Sequence, residues 1–194
     1  MNHLGRKLYH VTGGAGLLSV YYLLGREQAL LFYAVFFIAV LGLDILRIEV
    51  PNINTFIFSR FGSFIRKSEK QTLTGTAYYV IGIGLTFLVY SRAAATVAIC
   101  FLIFGDVAAT TIGERFGKTK IGSKSLEGTA AFVIAAFAVG GVLYSIGLGT
   151  ALWVMIPGAL VAAGVELLTL PVNDNLVIPV VSGGVMEFLL RAAG

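Results

Sequence analysis

Seven apolar stretches run through the chain, at about 8–24, 29–46, 73–90, 93–112, 128–146, 150–169 and 175–191. A helix needs about 20 mostly apolar residues to cross the hydrocarbon core of a bilayer, with a working range of roughly 17–25. The first and last stretches are the weakest, interrupted by His10 and Pro179. Lipid, not water, is the solvent this pattern calls for. Of the 194 residues 57% are hydrophobic and only 12% charged, about half the charged fraction of a soluble domain. A water-soluble core of this length has no room to hide so much apolar surface. The expected fold is all-α: a polytopic integral membrane helical bundle of about seven transmembrane helices, forming a single domain over residues 1–194. No linker divides the chain, and no internal repeat points to an inverted-repeat transporter.

The longest polar stretch, 47–70, has Phe56, Ile57, Phe61, Phe64 and Ile65 at helical spacing, with Arg60, Arg66, Lys67 and Lys70 between them. That pattern predicts an amphipathic segment lying in the membrane interface. Orientation follows from the basic residues. With the N-terminus inside, eleven of the fourteen Lys and Arg fall on the inner side, and only Arg26, Arg92 and Arg191 fall outside. Positive charge favours the cytoplasmic face, so the N-terminus is expected in the cytoplasm and the C-terminus outside. The pI near 9.3 is thus a topology signal, and no nucleic-acid partner is expected. Cys100, the only cysteine, sits in an apolar run, which leaves no internal disulfide. The N-terminal segment carries no small-residue cleavage site of a secretory signal.

Acidic residues contribute little to the positive-inside bias, yet eight of the ten map to the same inner side: Asp44, Glu49, Glu69, Asp106, Glu114, Glu127, Glu166 and Asp174. Pairing with inner basic residues accounts for some of them. It fits poorly for Asp106, Glu166 and Asp174, which lie in or at the ends of apolar helices with no basic residue within helical reach. A carboxylate so placed costs roughly 2.5–3.5 kcal/mol on insertion scales unless compensated, and one divalent cation would compensate several. Asp106 sits about 10 Å from the inner end of its span at 1.5 Å rise per residue. Thr110 and Gly113 share its face. Gly105, Gly113 and Gly117 let a second helix or a ligand come close, and helix packing alone would explain them.

The inner loop that follows, 113–129, is rich in glycine, lysine and hydroxyl residues and runs into an apolar helix. Glycine exposes backbone N–H groups to phosphate oxygens, lysine supplies charge, and a helix N-terminus adds a favourable dipole. The spacing of a Walker A loop is absent, and Ser125 suits an ordinary helix cap equally well. Together the parts suggest phosphate handling with a metal: carboxylates hold Mg²⁺, metal and lysines neutralise phosphate oxygens, and a further carboxylate takes a proton from an attacking hydroxyl. An acceptor embedded in lipid would explain the membrane setting. His10 is a candidate phosphate partner or, equally, a helix–helix hydrogen bond. Phe32, Tyr33, Phe36, Phe37, Tyr78, Tyr79 and Phe87 are candidates to line a lipid groove.

Residues 105–129, Gly-Asp-Val-Ala-Ala-Thr-Thr-Ile-Gly-Glu-Arg-Phe-Gly-Lys-Thr-Lys-Ile-Gly-Ser-Lys-Ser-Leu-Glu-Gly-Thr, resemble the core signature of the CTP-dependent lipid kinases. That family contains dolichol kinase, phytol and farnesol kinases and the yeast-type diacylglycerol kinase, and it is distantly similar to phosphatidate cytidylyltransferase. Three flanking pieces look like family positions too: Arg6-Lys7 with His10, Glu69 through Thr74-Gly75, and Glu166 with Asp174-Asn175 and Pro179. The resemblance implies a membrane-embedded catalytic domain that transfers the γ-phosphate of CTP to a lipid alcohol with Mg²⁺, its site facing the cytoplasm. It implies Asp106 as metal or catalytic carboxylate, Glu166 as base or supporting acid, and Asp106, Glu127 and Asp174 as the metal set. Nucleotide contacts would come from Lys7, His10, Gly113, Gly117, Lys118, Lys120, Lys124, Ser125, Glu127, Gly128 and Asn175. The acceptor is a polyprenol or dolichol, another isoprenoid alcohol, or diacylglycerol. The chain lacks the extra N-terminal spans of eukaryotic dolichol kinases, which counts against a very long dolichol.

Two other classes compete. A cytidylyltransferase would attach CMP to a lipid phosphate, but its C-terminal His-Gly-Gly-Asp-Arg-x-Asp type segment is absent, and Val172-Asn173-Asp174-Asn175-Leu176 stands in its place. An ion-coupled transporter would need polar residues open to both sides, whereas the outer halves of these spans are nearly featureless. Oligomeric state is not legible in the sequence.

Overall fold

The computed structural model describes residues 3–62, 64–168 and 171–193, with the side chains of His3 and Lys67 outside the described set. Lys67, counted above among the charges of the amphipathic segment, therefore has no described side chain, and Thr169, the last residue of the sixth predicted span, is not described. The described chain is almost wholly helical. Among the described residues four helices are long and apolar enough to cross a membrane: Arg26–Glu49, Arg92–Phe116, Leu126–Ser145 and Asp174–Ala193. Gly75–Val89 and Leu152–Leu167 are apolar but shorter. Leu31, Val35, Ile38, Ile134, Leu160 and Phe188 all stand more than half exposed on these helices. Apolar surface on that scale is an aggregation liability in water and ordinary against lipid, so the fold is a helical membrane bundle.

The chain forms two compact units, residues 1–84 and 85–194. In the first, α1 (His3–Leu24) and α2 (Arg26–Glu49) form a helical hairpin. The turn hinges on Gly25, whose φ of 79° lies in the left-handed region that costs a residue with a Cβ about 1–2 kcal/mol. The Tyr33 hydroxyl donates to the Leu17 carbonyl at 2.7 Å, fastening the two helices. Val50 is extended and ends α2, and Pro51 opens α3 (Pro51–Phe61) at a position where its missing N–H costs nothing. A 3₁₀ turn (Lys67–Gln71) then leads to α4 (Gly75–Val89), within which the division between units falls.

The 47–70 segment thus resolves into the end of α2, the amphipathic α3 and the 3₁₀ turn. One of its charges is not at the surface: Arg47 is 1% exposed. Its Nε donates to Asp44 Oδ1 at 2.8 Å, and its terminal nitrogens donate to the carbonyls of Glu69 and Thr72. Asp44 Oδ2 accepts from the Thr74 N–H at 2.7 Å and from the Thr74 hydroxyl at 2.9 Å. This buried pair therefore anchors the return of the chain into α4. Of the aromatics expected to line a groove, Tyr33, Tyr79 and Phe87 are instead buried in packing.

In the second unit, α5 (Arg92–Cys100), a π-helical turn (Phe101–Gly105) and α6 (Asp106–Phe116) form one continuous but broken span. Residues Ala94 to Ile103 are all buried, making this the central helix of the unit. A two-residue hairpin, β1 (Lys120–Ile121) and β2 (Lys124–Ser125), joins it to α7 (Leu126–Ser145). Gly122 at φ 58° supplies the turn. α7 ends in a Schellman-type cap, with Gly147 at φ 73° and the Gly149 and Leu148 N–H groups both donating to the Leu143 carbonyl. α8 (Leu152–Leu167) and α9 (Asp174–Ala193) complete the unit, each with an internal proline.

Candidate functional site

The second unit gathers its polar residues where α6, β2, α8 and α9 meet. Asp106 follows the π turn directly; such turns insert an extra residue into a helix and redirect the side chains after it, and they recur at functional sites. Lys124 lies on the hairpin, Glu166 in the last turn of α8 and Asp174 at the first position of α9. The Lys124 ammonium donates to Glu166 Oε1 at 2.7 Å and to Asp174 Oδ2 at 3.0 Å. The Thr129 hydroxyl sits 3.5 Å from the other Glu166 oxygen.

These contacts correct one expectation. The carboxylates at 166 and 174 do have a basic partner, but it arrives from 42 and 50 residues away in sequence rather than along a helix. Lys124 thus provides compensation that helical reach could not reveal. Burial by itself would lower the lysine's pKa, but Asp174, Glu166 and Asp106 outweigh it and hold the ammonium above its ordinary value. Glu166 and Asp174 clasp the ammonium directly, and Asp106 adds to the negative field that it feels.

The loop glycines have a packing explanation. A Cβ on Gly128 would stand 2.8 Å from the Ala109 carbonyl oxygen, and one on Gly113 would meet Ser125 Oγ at 3.0 Å. A Cβ on Gly117 would overlap the Gly113 carbonyl and Ser125. The helices α6 and α7 therefore cross with backbone nearly touching backbone. Ser125 caps α7, its Oγ accepting from the Gly128 N–H at 3.2 Å. Glu127 turns back to accept from the Thr119 N–H at 3.0 Å, bracing the hairpin. Lys120 reaches the Gly113 carbonyl at 3.3 Å, at the C-terminal end of α6, while Lys118 is exposed. The Asn175 N–H is bonded by Asn173 Oδ1, which opens α9.

Of the expected nucleotide residues, Lys7 and His10 belong to the other unit. There His10 stacks on Tyr79 at 4.6 Å, and its carbonyl accepts from the Tyr79 hydroxyl. The expected metal set of Asp106, Glu127 and Asp174 is not brought together, because Glu127 is engaged with the hairpin. Among the described residues, no three His, Cys, Asp or Glu side chains converge to hold a metal ion. Oxygen donors of this kind nonetheless suit Mg²⁺, which usually takes one or two carboxylates and draws the rest of its shell from water and substrate phosphates. Sequence reading did not pick out the Arg47–Asp44 anchor. The only signal for it was the Asp-x-x-Arg spacing, which many surface helices share.

The sequence is 33% identical over 139 residues to CTP-dependent diacylglycerol kinase 1 of Eremothecium gossypii, covering 70% of this chain and 43% of that protein. It is 30% identical over 143 residues to the protein of the same name from Saccharomyces cerevisiae, covering 72% of this chain and 48% of that protein. The chain is thus similar to proteins named CTP-dependent diacylglycerol kinase. It spans about half the length of these two relatives. A protein of Rickettsia prowazekii, uncharacterized, is 28% identical over 182 residues and comparable in size, with 90% of this chain and 88% of that one aligned. No family model matches the chain, and no solved structure matches it. Lys124, clasped by Glu166 and Asp174, lies on the hairpin within the 105–129 segment.

Proposed function

We propose that the protein is a CTP-dependent lipid kinase, moving the γ-phosphate of CTP to the hydroxyl of a membrane lipid alcohol and releasing CDP. The observation that carries this reading is the Lys124 cluster. It holds one cation between Glu166 and Asp174, with Asp106 adding to the field there, on the segment whose sequence resembles the kinase signature. Phosphoryl transfer asks little covalent chemistry of the protein and much positioning and charge neutralisation. Lys124 is the residue to neutralise phosphate oxygens, and Asp106 is the candidate to orient or deprotonate the attacking hydroxyl. Mg²⁺ would be held by Asp106 and Asp174 together with phosphate oxygens, supplying charge neutralisation. Glu166, buried beside Lys124, fixes the lysine's position in the absence of nucleotide.

The acceptor class spans diacylglycerol, named in the relatives, and the isoprenoid alcohols of the wider resemblance. The charge pattern supports a multi-pass chain with its N-terminus and this site on the cytoplasmic side. The test uses purified protein with [γ-³²P]CTP, Mg²⁺ and a panel of diacylglycerol, polyprenol, dolichol, geranylgeraniol and phytol. One lipid should become labelled, and Asp106→Asn should abolish labelling while the protein stays folded. Formation of CDP-lipid from phosphatidate, with no labelled alcohol, would overturn the kinase reading in favour of a cytidylyltransferase. Near-normal turnover by Asp106→Asn would overturn the assignment of Asp106.

A further inference from the structure

The first unit contains a cleft of about 480 Å³, within the 300–1,000 Å³ typical of small-molecule sites. Its walls are Phe36, Val40 and Leu43 from α2, Ile57 and Phe61 from α3, and Ile65 just beyond. Its polar lining comprises Asp44, Arg47 and Thr74, with Tyr9 and Thr76, whose hydroxyls lie 3.2 Å apart. Asp44 and Arg47 belong to the last two turns of α2, a helix long enough to cross a membrane, and α3 is the amphipathic segment that follows. The cleft therefore lies where a span meets the interfacial helix, the depth at which a lipid's polar end sits.

We propose that this cleft seats the acceptor, a neutral lipid alcohol, with its hydrocarbon against α2 and α3 and its hydroxyl end at the Asp44–Thr74 pole. The charge balance selects this occupant. Among the described residues Arg47 is the only cation in the lining, and it is already committed to Asp44 and to backbone carbonyls. A phosphate headgroup would bring negative charge to a pole that holds a carboxylate and, among the described residues, no uncommitted cation, whereas a hydroxyl or ester asks only for hydrogen bonds. Asn54 stands behind the lining, its Nδ2 donating to the Lys70 carbonyl that Arg47 also reaches, and its buried Oδ1 has no partner among the described residues. That the occupant is the phosphoryl acceptor rests on the kinase reading; that it is a neutral lipid does not.

The experiment reads binding and catalysis separately, on the full chain in vesicles of phosphatidylcholine. A tritiated, diazirine-bearing diacylglycerol is photolysed and the labelled peptides are mapped, alongside a diazirine phosphatidate with the same chains. Label from diacylglycerol should concentrate between residues 36 and 65 and be competed by unlabelled alcohol. Val40→Trp, which fills the cleft, should cut it at least about fivefold, and phosphatidate should label this region weakly. Ile57→Phe serves as a second filling variant should Val40→Trp fail to fold. In the kinase assay the variants should raise the KM for lipid several-fold and leave the KM for CTP unchanged. Cleft labelling without any phosphate transfer would leave the lipid seat standing and sink the kinase reading. Transfer with unlabelled walls, equal labelling by phosphatidate, or an unchanged lipid KM in a folded filling variant would overturn the cleft proposal and leave the kinase reading intact.

Discussion

Replacing Lys124 with methionine keeps most of the side chain's volume and removes its charge. Glu166 Oε1 and Asp174 Oδ2 then face each other across the space the ammonium filled. Because they flank one nitrogen at 2.7 and 3.0 Å, they stand no more than about 6 Å apart, where two unit charges repel by about 3 kcal/mol at an effective dielectric of 20. Glu166 is buried, but Lys124 and Asp174 keep 23% and 19% exposure. Solvent at those ends reduces the expected destabilisation to about 2 kcal/mol, below the 3–5 kcal/mol of a fully buried broken pair. For a chain of this length that is a fall of roughly 4–8 °C in the thermal midpoint. The assay is the monodisperse fraction in detergent after heating, compared at one heating rate because membrane-protein unfolding is often irreversible. Adding Asp174→Asn to Lys124→Met should recover about half of the loss, since the two changes share one interaction. The lysine's pKa is raised in the fold, so its contribution is complete below the unfolded value near 10.5 and fades only as pH climbs through the folded value. The difference between wild type and Lys124→Met should therefore be flat from about pH 6 to 9 and shrink only in strong alkali. An unchanged midpoint, or a double variant equal to the sum of the singles, would refute the charge clasp.

Four further substitutions probe separate parts of the fold. Gly128→Ala drives a Cβ to 2.8 Å from the Ala109 carbonyl and should cost about 1–3 kcal/mol of stability by overpacking, read as a lower midpoint in the same heating assay. Arg47→Met strands the Asp44 carboxylate in the first unit and should cost about 3–5 kcal/mol, with Asp44→Asn in the same chain restoring part of it; limited proteolysis of the 62–74 segment reports the release. Gly16→Ala, where nothing lies within 4 Å of the new Cβ, should stabilise α1 by roughly 0.4–1 kcal/mol, whereas Gly25→Ala, forced to φ 79°, should destabilise by about 1–2 kcal/mol.

The helices were legible because each is a long apolar run, and hydropathy depends on composition rather than on partners. The seven predicted stretches correspond to α1, α2, α4, the α5–α6 span, α7, α8 and α9. The amphipathic segment was legible for the same reason, as Ile57 and Phe61 stand four residues apart on α3 and line the same cleft. The break at Phe101–Gly105 was not, since a π turn needs no special residue. Nor was the burial of Arg47: a charged residue near a span's end reads as a topology marker, and only the chain's return at Glu69–Thr74 makes it an anchor.

The candidate site shows where reading along a chain stops short. Asp106, Glu166 and Asp174 stood out because an uncompensated carboxylate in an apolar setting is costly, and that reasoning is sound as far as it reaches. It counts only neighbours on the same helix. Compensation came instead through a hairpin whose register, Lys120 opposite Ser125 and Ile121 opposite Lys124, points one lysine at two helices far along the sequence. The loop glycines are ambiguous in the opposite way. Their close approach at α6–α7 is a packing demand that would exist with no ligand at all, so their presence says nothing by itself about phosphate. The charge cluster therefore carries the functional argument. Two carboxylates clasping one lysine leave one negative charge in excess, which solvent or a metal can share. A nucleotide arriving with Mg²⁺ would draw Lys124 toward phosphate and put the metal among the carboxylates. Asp174→Asn, which removes one claim on the lysine, should then weaken Mg²⁺ dependence more than CTP affinity.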